Sequence, residues 1–178
     1  MNLYFVRNGS AGAPQPSPQE DAARGLDREG RRQCELIGKL LAALGVRFDE
    51  IVSSPLRRAS ESAAIIAKLT RFEGRIALAP ALRPDGTYER FLELLSGMRN
   101  ADSALLIGHD SKLAEFIGKL ISNSSGRAGI HLKAGAVAKV VRKRTGAATL
   151  QWCMTQKLLG AYLAEQNSGP PRAGGYAK

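Results

Sequence analysis

Apolar and polar positions alternate along the chain in a way that separates short buried runs from amphipathic segments. Asn2 to Val6 predicts a short buried strand. From Gly9 to about Gly25 the chain is polar and rich in Gly, Pro and Ser, which predicts a loop. Asp27 is a good N-cap for a helix on which Cys34, Ile37, Leu40, Leu41 and Leu44 recur at helical spacing, with Gly45 as its stop. Asp49 to Ser53 predicts a second strand. Pro55 then opens a helix whose Leu56, Ala59, Ala63 and Ile66 share one face.

The second half continues the alternation. Arg75 to Ala79 predicts a strand, and Thr87 to Met98 a helix carrying Phe91, Leu92, Leu94 and Leu95. Ala104 to Ile107 predicts a strand with Gly108 as a tight exit. Leu113, Phe116, Ile117 and Leu120 then fit the i, i+3, i+4, i+7 pattern of a helix. Ala136 to Arg142 and Ala148 to Cys153 predict two strands flanking a hairpin turn at Lys143-Arg144-Thr145-Gly146. Residues 165–178 contain no core-forming pattern and are expected to be disordered, leaving one domain over residues 1–164. Strands alternating with helices imply an α/β fold: three layers, α/β/α, with a mostly parallel central sheet and a C-terminal hairpin. Ligands gather at the carboxyl ends of such strands. Three loops therefore become neighbours: Arg7-Asn8-Gly9, Ser53-Ser54-Pro55 and Gly108-His109-Asp110.

Composition narrows the picture. A chain of 178 residues with 44% hydrophobic content can bury a core as one domain without staples. No apolar run approaches the ~20 residues that span a bilayer, and the first residues lack the basic start of a signal peptide. Cys34 and Cys153 lie far apart in apolar stretches, which predicts buried thiols and a reduced, cytoplasmic setting. The net charge of +10 is unevenly spread: residues 116–178 hold ten Lys/Arg and one acid, Glu165. Arg142-Lys143-Arg144 is the densest point. This third of the chain is either a solvated face or a surface for an acidic partner, whether a phosphorylated protein, a polyanion or nucleic acid. A dedicated nucleic-acid module fits poorly, since aromatics are 6% and no RNP, KH, zinc-finger or helix-turn-helix signature occurs. Two histidines without clustered carboxylates supply too few ligands for a metal centre, so neither metal nor cofactor is expected.

Each of the three loops offers a group suited to phosphate. Arg7 presents a planar fork of donors. Ser53-Ser54-Pro55 leads into a helix N-terminus with Arg57 and Arg58 in its first turn. His109 can donate to a phosphoryl oxygen or exchange a proton near neutral pH.

These motifs resemble the histidine phosphatase (phosphoglycerate mutase-like) superfamily, and within it the small SixA-type phosphohistidine phosphatases. Leu3-Tyr4-Phe5-Val6-Arg7-Asn8-Gly9 is similar to that family's strand and Arg-His-Gly signature except at the histidine. Ser53-Ser54-Pro55-Leu56-Arg57-Arg58-Ala59 resembles its Ser-Pro-Leu-x-Arg-Ala block, which assigns the phosphate-binding arginine to Arg58. Leu106-Ile107-Gly108-His109 resembles its second histidine motif, and Leu132-Lys133-Ala134-Gly135 a Lys-x-Gly segment of the short members. The likeness covers roughly residues 1–160. It implies a site of Arg7, Arg58 and His109, with Lys133 beside them, and Asn8 at the position of the histidine that attacks phosphorus. It also implies a protein-borne phosphohistidine as substrate, because the interval from Ala59 to Ala104 leaves little room for the cap of sugar-phosphate relatives. The basic third would steer an acidic carrier towards the site.

Asn8 breaks the family's mechanism, because an amide nitrogen has its lone pair delocalised and does not attack phosphorus. It can still donate a hydrogen bond from a similar position. Ala81 stands where many relatives carry an acid, and Ser111 where a proline commonly follows the second histidine. Three accounts follow: a non-catalytic relative reached by drift, an enzyme with a deliberately replaced nucleophile, or attack by His109 or Ser10. The additional departures favour drift. A phospho-ligand or polyanion-binding module is the alternative to catalysis. His131 belongs to no motif and is expected to be structural or exposed.

Overall fold

The structure, a computed structural model, describes residues 1–122 and 129–167. The elements follow in the order β1 (Asn2–Arg7), α1 (Pro18–Ala23), α2 (Arg28–Ala43), β2 (Glu50–Ser53), α3 (Arg57–Leu69), β3 (Ala77–Leu78), α4 (Tyr88–Gly97), β4 (Ser103–Gly108), α5 (Asp110–Ile121), β5 (Val137–Arg142), β6 (Ala148–Met154) and α6 (Gln156–Asn167). One six-stranded sheet has the order β3-β2-β4-β1-β5-β6. β3, β2, β4 and β1 run parallel, while β5 lies antiparallel to β1 and closes a hairpin with β6.

β1 shows why three layers form. Successive side chains of a strand point to opposite faces, and Leu3 and Phe5 enter one core while Tyr4 and Val6 enter the other. The first core is closed by Phe91 and Leu95 of α4 and by Leu113, Phe116, Ile117 and Leu120 of α5. The second is closed by Cys34, Ile37, Leu40 and Leu41 of α2, Ala59, Ala63 and Ile66 of α3, and Leu159 of α6. A strand buried on both faces reads as a continuous apolar run, which is how β1 and β4 stand out in the sequence.

Several expectations need correction. The stretch between Gly9 and Gly25 is not all loop. Ser17 caps α1 by accepting from the Glu20 amide at 3.2 Å, its hydroxyl bonds the Glu20 carboxylate at 2.7 Å, and Pro18 fills the first turn. Leu44 is no core residue: it is the C-cap of α2 and 51% exposed. β3 keeps only two residues, both exposed at the sheet edge. α6 was not predicted. It is helical through Asn167, past the boundary expected at residue 164, and the rest of the expected tail, 168–178, lies outside the described residues. Cys34 is buried and Cys153 half-buried, and both are free thiols. No helix among the described residues is long and apolar enough to cross a membrane.

Candidate functional site

The carboxyl ends of the parallel strands are tied together by main-chain hydrogen bonds. Asn8 N–H donates to Gly108 O at 3.0 Å, Ser54 N–H to Ile107 O at 2.8 Å, and Gly135 N–H is shared between Arg7 O and Asn8 O at 3.2 Å each. The loops after β1, β2 and β4 therefore lie side by side, with the turn before β5 as a fourth wall. Gly135 makes that turn at φ +66, a left-handed conformation in which a side chain would be strained and would crowd Gln33 and Gln156.

These loops surround a cavity of about 380 Å³, lined among others by Arg7, Asn8, Ser10, Arg24, Arg58 and His109. Arg7 is the last residue of β1, and its guanidinium is held by Leu132 O at 2.7 Å and by the Asp110 carboxylate at 2.9 Å. Arg58 enters from the first turn of α3 and is only 7% exposed. Burial lowers its pKa from the ordinary arginine value, while neighbouring Asp21 opposes that shift. Arg24, just after α1, donates to the Asp21 carboxylate and to the carbonyls of Ala11 and Gly12.

His109 is the N-cap residue of α5 and 7% exposed, with Nε2 2.8 Å from Ser54 Oγ; the direction of that bond follows the tautomer. Burial first, and then the positive charge of Arg58, push its pKa down to about 4. At neutral pH the ring is therefore an uncharged imidazole beside two guanidiniums. Asn8, 8% exposed, forms part of the cavity wall, and its Nδ2 donates to Gly9 O at 2.9 Å.

The loop after β1 is held from below. Gly9 N–H donates to Ser62 Oγ at 3.2 Å, and the Ser62 hydroxyl donates to Arg58 O at 2.7 Å, coupling that loop to α3. Asp27 caps α2 through Gly30 N–H at 2.7 Å, while its other oxygen accepts from the Ser10 hydroxyl at 2.6 Å and from Gly12 N–H at 2.9 Å. The approach of loop to helix is so close that a Cβ on Gly30 would stand 1.9 Å from Ser10 O.

Arg7, Asn8, Arg58 and His109 are thus brought together as the sequence suggested, and Ser10 and Ser111 also line the cavity. Lys133 is not brought to it. Its side chain is exposed, its carbonyl accepts from Ala136 in the turn, and neighbouring Ala134 provides the wall. His131 is exposed. Ala81 is buried in a short 3-10 turn, Pro80–Leu82, and brings no carboxylate. Two charged cavity residues escaped the sequence reading. Arg24 follows a run mistaken for pure loop, and its signal was the Asp21/Arg24 spacing of i, i+3 behind the Ser17/Glu20 capping pattern. Asp110, in the loop identified, is the partner of Arg7.

Among the described residues, the basic third is not one surface around the site. β5 runs antiparallel to β1, with Val137 opposite Val6 and Val141 opposite Asn2. The Lys143–Gly146 turn therefore sits at the end of the sheet away from the cavity. Lys139 lies over the Tyr4 ring on the α2/α3 face, and Lys119 over the Tyr88 ring on the α4/α5 face.

Three guanidiniums and a neutral imidazole converging on one cavity suit a tetrahedral oxyanion. Comparisons with known proteins bear on the fold and the family. The chain is 33% identical over 156 residues to an uncharacterized protein of Picosynechococcus sp., covering 85% of this chain and 89% of that one. Over 53 residues it is 42% identical to the serine/threonine-protein phosphatase Pgam5 of Drosophila sechellia, which is 30% of this chain but 18% of that protein. The fold matches the protein histidine phosphatase SixA complexed with tungstate at a TM-score of 0.79 and 22% identity, covering 87% of this chain and 97% of that one. The putative phosphohistidine phosphatase SixA of Agrobacterium tumefaciens matches at a TM-score of 0.70 and 21% identity, covering 86% and 97%. Residues 3–85, which supply Arg7, Asn8 and Arg58, match the Histidine phosphatase superfamily (branch 1), and the chain belongs to that superfamily.

Proposed function

We propose that the cavity binds a phosphoryl group, with Arg7 and Arg58 neutralising its oxygens and the uncharged His109 donating a hydrogen bond, and that Asn8 leaves this SixA-like scaffold impaired in turnover. The observation that carries the reading is the place of Asn8: it is buried in the cavity wall between Arg7 and Gly9, with one of the two N–H donors of its Nδ2 engaged by Gly9 O. Phosphoryl transfer through a side chain needs a nucleophilic lone pair at that point, and the nitrogen lone pair of a primary amide is delocalised into its carbonyl, whose oxygen is a weak nucleophile. The bound group is a phosphohistidine on a protein or a small phosphorylated ligand. An open cavity, with no cap inserted among the described residues, favours the protein-borne form.

The test is phosphate release from a phosphohistidine-bearing protein by this chain and its Asn8→His variant. Activity confined to the variant is the expected result. Activity in both would show that another group attacks, with Ser10 the first to examine. Inactivity in both, with tungstate still bound, would favour a non-catalytic phospho-ligand module.

A second reading, polyanion binding outside the cavity, is favoured by one observation. Arg142, Lys143 and Arg144 have no carboxylate within salt-bridge distance among the described residues. The turn lies a strand length from the cavity, roughly 20 Å at ~3.3 Å per residue, beyond the Debye length of about 10 Å at 0.1 M salt. Its charge therefore acts as a separate contact and steers nothing into the site.

A further inference from the structure

Asp21 does not line the cavity, yet two of the three arginines that do converge on it. Its Oδ1 accepts from Arg24 Nε at 3.0 Å and Nη2 at 2.7 Å. Its Oδ2 lies 3.2 Å from Arg58 Nη2, and its main-chain carbonyl accepts from Arg58 Nη1 at 2.8 Å. Among the described residues, every partner of the Arg58 guanidinium is an atom of Asp21. Arg24 Nη1 is held in turn by the carbonyls of Ala11 and Gly12, so the three residues and the loop form one frame.

We propose that Asp21 is a positioning residue for oxyanion binding: its carboxylate bridges Arg24 and Arg58 and fixes both guanidiniums at the cavity wall. The inference rests on the reading of the cavity as a phosphoryl site. It also explains α1. That helix buries none of its side chains, so apolar packing does not hold it in place, and the Asp21 contacts are its tie to α3. The bonds from Arg24 hold the Asp21 carboxyl below the ordinary carboxylate range, so the bridge is charged at neutral pH.

Two effects of the carboxylate oppose each other. Its negative charge repels an anion in the cavity, and its bridge keeps two cations aimed there. The bridge dominates because Arg58 is buried beside Arg24. A desolvated guanidinium that loses its counter-charge next to another cation turns out to solvent and leaves the site. An inhibitory carboxylate that merely competes with the ligand would have the opposite sign, which makes the two separable.

The experiment is calorimetric titration of tungstate into the full chain and its Asp21→Asn, Asp21→Ala, Asp21→Glu and Arg58→Ala variants, each with a ligand-free melting curve. Asp21→Asn and Asp21→Ala should bind about tenfold more weakly or worse, the loss of one or two charge-assisted bonds. Asp21→Glu, which restores the carboxylate, should recover part of the affinity. Ligand-free melting should change little, since α1 contributes nothing to either core. Unchanged or tighter binding in Asp21→Asn, with Arg58→Ala still defective, would overturn the positioning role. Failure of the unmodified chain to bind tungstate would instead overturn the phosphoryl reading itself. Should Asp21→Ala melt early, the comparison of Asp21→Asn with Asp21→Glu at matched melting temperature decides.

Discussion

Lowering the pH from 7 to 5 should destabilise the ligand-free protein through one residue. Burial, reinforced by the charge of Arg58, holds His109 at about 4, against an ordinary value of 6.5. Between those values the unfolded chain carries a proton on this ring that the folded chain refuses. Unfolding then takes up protons, so stability rises with pH across the window and is lost as pH falls through it. From pH 7 to pH 5 most of the unfolded-state titration is crossed and little of the folded one, a loss of about 2 kcal/mol. For a chain of this size that lowers Tm by roughly 4–8 °C. Asp27, through the Ser10 hydroxyl, and Glu61, through the Leu26 amide and its arginines against the opposing effect of burial, are carboxylates shifted in the same downward direction. Their contribution is intact above the ordinary carboxylate range and is lost only at more acidic pH, outside this window. Thermal melts at pH 7, 6 and 5 on the unmodified chain and on His109→Gln isolate the term. The variant should show a flat profile, and saturating inorganic phosphate should shrink the fall, because an oxyanion beside the ring favours its protonated form. An equal fall in His109→Gln, or no fall in the parent, would refute the assignment of a buried neutral imidazole.

Two further outcomes follow from geometry. Gly30→Ala puts a Cβ 1.9 Å from Ser10 O, so the loop must move; the expected cost is about 1–3 kcal/mol in urea unfolding, together with weaker tungstate binding, and unaltered values of both would contradict the close approach. Lys143→Glu with Arg144→Glu should lower the salt concentration needed to elute the protein from heparin while leaving tungstate affinity within about twofold, since the turn lies beyond the Debye length from the cavity; a parallel loss of tungstate affinity would show that the two surfaces act together.

The legible parts of this chain are those where burial is two-sided or strictly periodic. β1 and β4 appear as apolar runs because both faces are covered, and α2, α3 and α5 keep one face in a core at helical spacing. The candidate site residues Arg7, Asn8, Arg58 and His109 were legible because each ends a strand, directly follows one, or lies in the first turn of a helix that follows one. What escaped was held by polar contacts. α1 buries nothing, and its start is written only in Ser17, Pro18 and Glu20 amid a Pro-rich stretch. α6 is anchored by Leu159 and by Gln156 donating to the carbonyls of Gly135 and Gln33, too little to stamp an apolar period on the sequence. Lys133 shows the reverse error: its local match placed it near the cavity in sequence, but the turn gives the wall to Ala134.

The strand β1 carries a consequence for how such a site changes over generations. Leu3, Tyr4, Phe5 and Val6 divide their side chains between two cores, so a slip of one residue would exchange both sets and is strongly excluded. The register that protects the cores also delivers positions 7 and 8 to the same point in space, whatever side chains they carry. Position 8 belongs to neither core, and its backbone is held by Gly108 O and Gly135 N–H rather than by its side chain. Selection can therefore rewrite the chemistry there without endangering the fold, so a lineage can gain or lose a reaction at this position while the surrounding architecture is inherited intact.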